Sequence, residues 1–186
     1  MNINIRRAKI KDIEALTELL TELFSIETDF TIDTQKQRDG LELIFRETEK
    51  VCIMVAECEG TVVGMCSCQL VVSTSEGGYK GLIEDVVINK AYRGQNIGSE
   101  LLEEITAWAI GLGAKRIDLV ADKRNSLAID FYKKHGMKVT NMIALQKHIW
   151  QLFDKVVYFL LKKIQMLRTE KKSKIAFFRE LSVDVR

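Results

Sequence analysis

An α/β domain built on a mixed sheet is the fold class this sequence predicts, with elements in the order βααβββαβαβ. Three observations carry that expectation. Apolar residues recur at helical spacing near the N-terminus and again after residue 97, whereas residues 51 to 72 carry the period of strands. An apolar strand ending at Ile88 runs through a glycine-containing turn straight into a helix. The 186 residues, 47% hydrophobic and 29% charged, suffice for one domain with a core of its own.

The elements follow in order. Ile3 and Ile5 alternate with polar residues and predict a short strand. Ile13, Leu16, Leu20 and Leu23 lie on one face of a helix over residues 10–24, with Asp12 as its N-cap. Residues 25–33 lack a period and are acidic at Glu27, Asp29 and Asp33. A second helix over 34–48 places Leu41, Ile44 and Phe45 together. Strands over 51–57 and 61–72, joined by Glu59-Gly60, form a hairpin. A loop over 73–80 contains Gly77-Gly78, and an apolar strand over 82–88 is interrupted by Glu84-Asp85. The next helix, 98–110, turns Leu101, Leu102, Ile105 and Trp108 inward. A strand over 116–121, a helix over 126–135 closed by Gly136, and a final strand over 137–147 complete the domain.

Charge narrows the partners. Residues 1–150 hold 19 Lys and Arg against 22 Asp and Glu, a net of −3, and residues 151–186 hold 9 against 4, a net of +5. An acidic body argues against nucleic acid, which selects a continuous basic face, and suits a cationic substrate. Cys52, Cys58, Cys66 and Cys68 form no Cys-x-x-Cys pair, and only two histidines exist, so no metal site is expected. Cys66 and Cys68 share one face of their strand and read as small core residues rather than a redox pair. The polar, basic start of the chain is unlike a signal peptide, no run is long enough to span a bilayer, and a reducing cytoplasm is the expected location.

The turn Arg93-Gly94-Gln95-Asn96-Ile97-Gly98-Ser99 carries the strongest chemical signal. The first N–H groups of a helix lack intrahelical partners, and the helix dipole draws negative charge to them. Glycine lets the backbone approach closely and adopt positive φ. Arg93 adds a cation at the rim, and a pyrophosphate fits such a cradle. The lysine of a P-loop is missing, as is the Gly-x-Gly-x-x-Gly spacing of a dinucleotide fold. Taken alone, the turn also reads as a plain strand-to-helix connection.

Three stretches together resemble the GCN5-related N-acetyltransferases (GNAT): Leu82-Ile83-Glu84-Asp85-Val86-Val87-Ile88, then Ala91-Tyr92-Arg93-Gly94-Gln95-Asn96-Ile97-Gly98, then Asn125-Ser126-Leu127-Ala128-Ile129-Asp130-Phe131-Tyr132. The resemblance covers about residues 3–148. The family's acyl-CoA loop reads Gln/Arg-x-x-Gly-x-Gly/Ala. Arg93 and Gly98 match it, and Asn96 replaces the middle glycine as the residue best able to take a left-handed conformation. The resemblance implies the GNAT acyl-CoA fold with acetyl-CoA as cosubstrate. The backbone of Val86, Val87 and Ile88 would pair with the pantetheine arm, the amides of Gly94 to Ser99 would hold the pyrophosphate, and Asn125 and Ala128 would border the arm. Capping of a helix is the other reading of Asn125.

Acetyl transfer to an amine requires that the ammonium lose a proton, that the thioester carbonyl be polarised and that the leaving thiolate be stabilised. Carboxylates interrupting an apolar strand are costly without a purpose. Alternation sends Glu84 and Asp85 to opposite faces. In the resembling enzymes, polyamine acetyltransferases among them, the residue at the place of Glu84 acts as base, often through water, and the one at the place of Tyr132 protonates the thiolate. Asp85, with Glu27 and Asp29 in the acidic stretch, would draw a cationic amine. The purely structural readings are a salt-bridged Glu84, a core-packed Tyr132 and a solvated acidic loop. His135, before Gly136, reads as a helix-terminal residue.

Residues 1–149 therefore read as an N-acetyltransferase domain and 150–186 as an extension. Leu152, Phe153, Val156, Val157, Leu160, Ile164 and Leu167 predict an amphipathic helix ending in a basic run. It suits packing on the parent domain or on a second copy in a homodimer. A basic helix on an anionic membrane is the sharper alternative, though no membrane partner is expected. The competing function is a non-catalytic acyl-CoA-binding module whose tail engages a partner.

Overall fold

The computed structural model describes residues 2–26, 30–47 and 49–147, together with Val157, Leu160 and Lys163. The chain divides into two compact units, Met1–Thr140 and Asn141–Arg186. In the first, strands β1 (Ile3–Arg7), β2 (Val51–Cys58), β3 (Thr61–Ser73), β4 (Gly78–Ile88) and β5 (Ala114–Leu119) form one sheet in sequence order. The first four are antiparallel neighbours, and β5 joins β4 in parallel, so the sheet is mixed as expected.

Helices cover both faces. Strand β3 shows why: Cys66, Cys68 and Leu70 point to one side and Met65 to the other. On the first side they pack with Ile97, Leu101, Leu102, Ile105 and Ala109 of α3 (Ile97–Gly111), against which Phe131 and Tyr132 of α4 (Ser126–Lys134) also pack. On the other side Met65, Val55 and Val87 pack with Leu16, Leu19 and Leu20 of α1 (Ile13–Phe24) and Leu41 of α2 (Thr34–Arg46). The four cysteines are free and buried in this core. Burial pushes the Cys52 thiol up to about 11 and the Cys68 thiol to about 12, far from any reactive thiolate.

Local chemistry sets the boundaries. Glu59 and Gly60 both take positive φ, the twist that a two-residue hairpin needs between β2 and β3. The Asp33 carboxylate accepts from the Lys36 N–H at 3.2 Å and caps α2. Asp12, by contrast, makes no side-chain cap on α1. A short 3-10 turn, Ile10–Asp12, precedes that helix. The 6%-exposed Asp12 carboxylate instead accepts from the Lys9 N–H at 2.7 Å and from both terminal nitrogens of Arg6, which also binds Glu57. The expected loop over 73–80 shrinks to residues 74–77, because Gly78, Tyr79 and Lys80 join the ladder opposite Ser73, Val72 and Val71.

The last expected strand does not form. Residues 137–147 are irregular, and Val139, Met142, Ile143 and Leu145 are exposed. Alternation says which side chains would share a face, but a strand exists only where a neighbour takes up its ladder. The helix expected in the tail lies outside the described residues, apart from Val157, Leu160 and Lys163, which are helical.

The Arg6 guanidinium and the Lys9 N–H hold the Asp12 carboxyl below the usual carboxylate range. A depressed carboxyl stabilises the fold above its unfolded value near 3.8 and ceases to as pH falls through the folded value. Chemical denaturation of Asp12→Ala at neutral pH should show a loss of about 2 kcal/mol. The same variant should lose less stability than the parent as pH falls below about 4.

Candidate active site

Strand β4 contains one residue more than β3 can match. Val87 pairs with Met65 and Glu84 with Ser67, so Cys66 alone faces both Asp85 and Val86. Asp85 absorbs the extra length with a left-handed φ of 52°. Two features of the site meet here.

The first is a change of side-chain parity. Ile83 packs with the α3 cluster and Val87 with the α1/α2 cluster, although residues four apart on an unbroken strand share a face. Glu84 and Asp85 accordingly do not point to opposite faces, as regular alternation requires. Both lie over the α1/α2 side, the side of Met65, Ser67 and Gln69. Gln69 Nε2 donates to Glu84 Oε2 at 3.0 Å. The Ser67 hydroxyl, 2% exposed, is shared between the Glu84 carbonyl oxygen at 3.0 Å and Asp85 Oδ2 at 3.1 Å. The Glu84 side chain is exposed and Asp85 is half-buried, so the pair forms a wet carboxylate corner rather than a buried ion pair.

The second feature, adjoining the bulge, is an open edge. The β4–β5 pairs begin at Tyr79↔Ala114 and end at Ile83↔Leu119. Beyond Ile83, the outer edge of Glu84 to Ile88 pairs with no strand among the described residues. The direction of each group can be read from its neighbours. Asn89 donates its N–H to the Val63 carbonyl at 2.8 Å, so Asn89 and Val87 face β3, and Val86 and Ile88 face outward. The Ile88 carbonyl indeed accepts from Arg93 Nε, outside the sheet, at 2.8 Å.

The turn after β4 forms as its sequence suggests. Gly94 takes φ 77° and Asn96 takes φ 65°, so asparagine occupies the left-handed position where the motif has glycine. Intrahelical bonding begins when Ser99 donates to the Asn96 carbonyl at 3.0 Å, which leaves the amides before Ser99 at the open end of α3. No atom stands within 4 Å of the place a Cβ on Gly94 would take. A Cβ on Gly98 would meet the Phe131 ring at 3.4 Å, so a small residue there brings α4 against the start of α3. An edge of amides followed by a concave turn at a helix N-terminus suits an extended, amide-bearing ligand that ends in an anion.

Arg93 is held differently from a simple rim cation. Its Nη2 donates to Glu22 Oε1 of α1 at 2.6 Å, and the Lys90 N–H donates to the same oxygen at 3.2 Å. Glu22 thus ties the turn to α1. Sequence reasoning missed it, because a glutamate on the polar side of an amphipathic helix carries no local signal of a partner 71 residues away.

The other expected residues fall as follows. Asn125 accepts from the Ala128 N–H at 3.0 Å through its side chain and caps α4. Tyr132 is half-buried, edge-on to Phe131 with ring centroids 5.2 Å apart, and packs with the α3 cluster. Glu84 and Tyr132 therefore approach the sheet from opposite faces. His135 lies at the end of α4, where its Nδ1 meets the Phe131 carbonyl at 2.8 Å, a helix-terminal role. Glu27 and Asp29 lie outside the described residues. Among the described residues, no helix is long and apolar enough to cross a membrane.

Known proteins share this architecture. The model of the acetyltransferase (GNAT) family matches residues 13–137. An aminoalkylphosphonate N-acetyltransferase of Salmonella typhimurium is 30% identical over 134 residues, 72% of this chain and 84% of that protein. An IAA acetyltransferase of Azospirillum brasilense is 28% identical over 132 residues, 71% of this chain and 78% of its own. The structure of a predicted acetyltransferase from Clostridium acetobutylicum, solved with acetyl-CoA, superposes with a TM-score of 0.67 at 22% identity, over 81% of this chain and 98% of that one. The chain belongs to the acetyltransferase (GNAT) family. It is an acyltransferase that draws on acetyl-CoA, and the enzyme reading stands over that of a binding module.

The left-handed position at Asn96 yields a direct test. Asn96→Gly should leave thermal stability within about 0.5 kcal/mol of the parent, whereas Asn96→Val should cost about 1–2 kcal/mol, because a β-branched side chain crowds the carbonyl at positive φ. Thermal melts of both variants check this.

Proposed function

We propose that the protein acetylates a primary amine directly, with Glu84, Asp85 and Tyr132 dividing the proton chemistry. The observation that carries this reading is the corner at Glu84 and Asp85, brought to one face of the sheet beside an open strand edge. Acetyl-CoA supplies the acetyl group as a thioester, which is activated toward amines. The outward groups of Val86 and Ile88 line up its arm as an added strand would, and the amides of Gly94 to Gly98, which precede the intrahelical bond of Ser99, receive the pyrophosphate. Glu22 positions Arg93 and with it the turn. Asn125 and Ala128, joined by the α4 cap, border the arm from the other side.

Asp85 draws the ammonium toward the sheet. Glu84, exposed and held by Gln69, takes a proton from it through water and leaves a nucleophilic amine. Tyr132 holds a phenolic proton for the departing sulfur, whose basicity is comparable. Glu84 and Tyr132 act from opposite faces of the sheet, so proton removal and proton delivery are separated in space. A cationic amine is favoured by the carboxylate corner and by the net charge of −3 over residues 1–150. The 28–30% identity to acetyltransferases of small molecules supports a small acceptor.

Tyr132→Phe should lower kcat by about 100-fold while acetyl-CoA affinity stays near that of the parent. Glu84→Gln should lower kcat comparably, again with acetyl-CoA affinity near that of the parent. Thiol release from acetyl-CoA, measured with a panel of amines, reads both, and unchanged rates would remove these residues from the mechanism. Glu22→Gln should raise KM for acetyl-CoA about 5-fold with kcat nearly unchanged, the equivalent of one charged hydrogen bond weakened at the turn.

A further inference from the structure

Glu27, Asp29 and Asp85 point, on sequence alone, to a cationic amine. The walls of a cavity beside Asp85 narrow that class. A cleft of about 450 Å³ lies between the sheet and the α1/α2 layer, within the range of small-molecule sites. Leu20 and Phe24 of α1 and Leu41 and Ile44 of α2 form its sides, and Gln69 and Asp85 form its sheet end. Glu84 is bonded to that same Gln69, so the carboxylate corner sits at one end of a largely hydrocarbon cleft.

Aromatic and aliphatic surface continues outward from the cleft. Phe24 stacks on Phe30 with centroids 5.2 Å apart and an interplanar angle of 28°. Phe30 is 48% exposed, and Leu43, which lines the cleft, is 58% exposed. Exposed apolar side chains gathered at a cavity mark a binding surface more often than chance scatter does. The lining also holds Lys36, whose ammonium lies 3.2 Å from Asp33. That pairing balances its charge, so Lys36 adds little anion-binding character to the cleft. Beyond Asp85 the lining offers a polyamine the exposed Glu47, and the rest of its charges would lie against hydrocarbon, which is costly without partners. A single ammonium on an apolar body meets the carboxylates at one end and leaves water along the rest.

We infer that the acceptor is a primary amine carried on an aryl or alkyl body, bound with its ammonium at Asp85 and its hydrocarbon between Phe24, Ile44 and Leu43. This rests on the amine acetylation proposed above and names its substrate class. The experiment is thiol release from acetyl-CoA by the full chain with phenethylamine, tryptamine, hexylamine, spermidine and 2-aminoethylphosphonate. The expected result is that kcat/KM for the apolar amines exceeds that for spermidine and for the phosphonate by tenfold or more. Leu43→Asp, a change at an exposed position, should raise KM for tryptamine several-fold and leave KM for acetyl-CoA unchanged. A preference for spermidine or for 2-aminoethylphosphonate overturns the inference while amine acetylation stands. Indifference of tryptamine turnover to Leu43→Asp also overturns it. Tight acetyl-CoA binding with no turnover of any amine sinks the proposed reaction itself, and the acceptor class with it.

Discussion

The bulge at Asp85 is the constraint on which the rest of the site depends. Nothing in the flanking strand forces it: Ile83, Val86, Val87 and Ile88 would sit well in a regular ladder. Placing one extra residue opposite Cys66 requires a left-handed backbone at a non-glycine position, a conformation that costs free energy and persists where the surroundings impose it. The Ser67 hydroxyl, buried and bonded to both the Glu84 carbonyl and the Asp85 carboxylate, is the local fixture that holds it. From that single distortion come two carboxylates on one face, next to the point where the β4–β5 ladder ends at Ile83 and Leu119.

An open edge is a liability in most sheets, because unpaired amides invite another chain. Here it lies beside the N-terminus of α3, so in the proposed reading it would supply an amide ladder leading to the turn that takes the pyrophosphate. Glu22 adds rigidity from the opposite layer by holding both Lys90 and Arg93. The helix that lines the proposed acceptor cleft through Leu20 and Phe24 therefore also holds the turn through Glu22.

Much of the fold was legible because amphipathic period is a local property. The faces of α1, α2 and α3, the β2–β3 hairpin at Glu59-Gly60 and the paired burial of Cys66 and Cys68 all follow from spacing alone. So did the left-handed use of Asn96, since few side chains other than asparagine tolerate that conformation. The failures share one cause, which is that each depends on a partner in another element. Alternation put Glu84 and Asp85 on opposite faces because a bulge is a mismatch between two strands, invisible in either one. Residues 137–147 alternate like a strand but lack the ladder that would make them one. Asp12 looked like a cap and proved to be the counter-charge of Arg6, a residue on a strand. Glu22 showed no sign of Arg93.

The central claim is that the outer edge of β4, open beyond Ile83, receives the acyl donor. Residue-resolved amide exchange of the full chain, with and without saturating acetyl-CoA, tests it most directly. Val87 and Asn89 face β3 and serve as internal controls. The account predicts that exchange slows at Val86 and Ile88 while Val87 and Asn89 stay as they were. Unchanged exchange at Val86 and Ile88 in the presence of bound acetyl-CoA would contradict it.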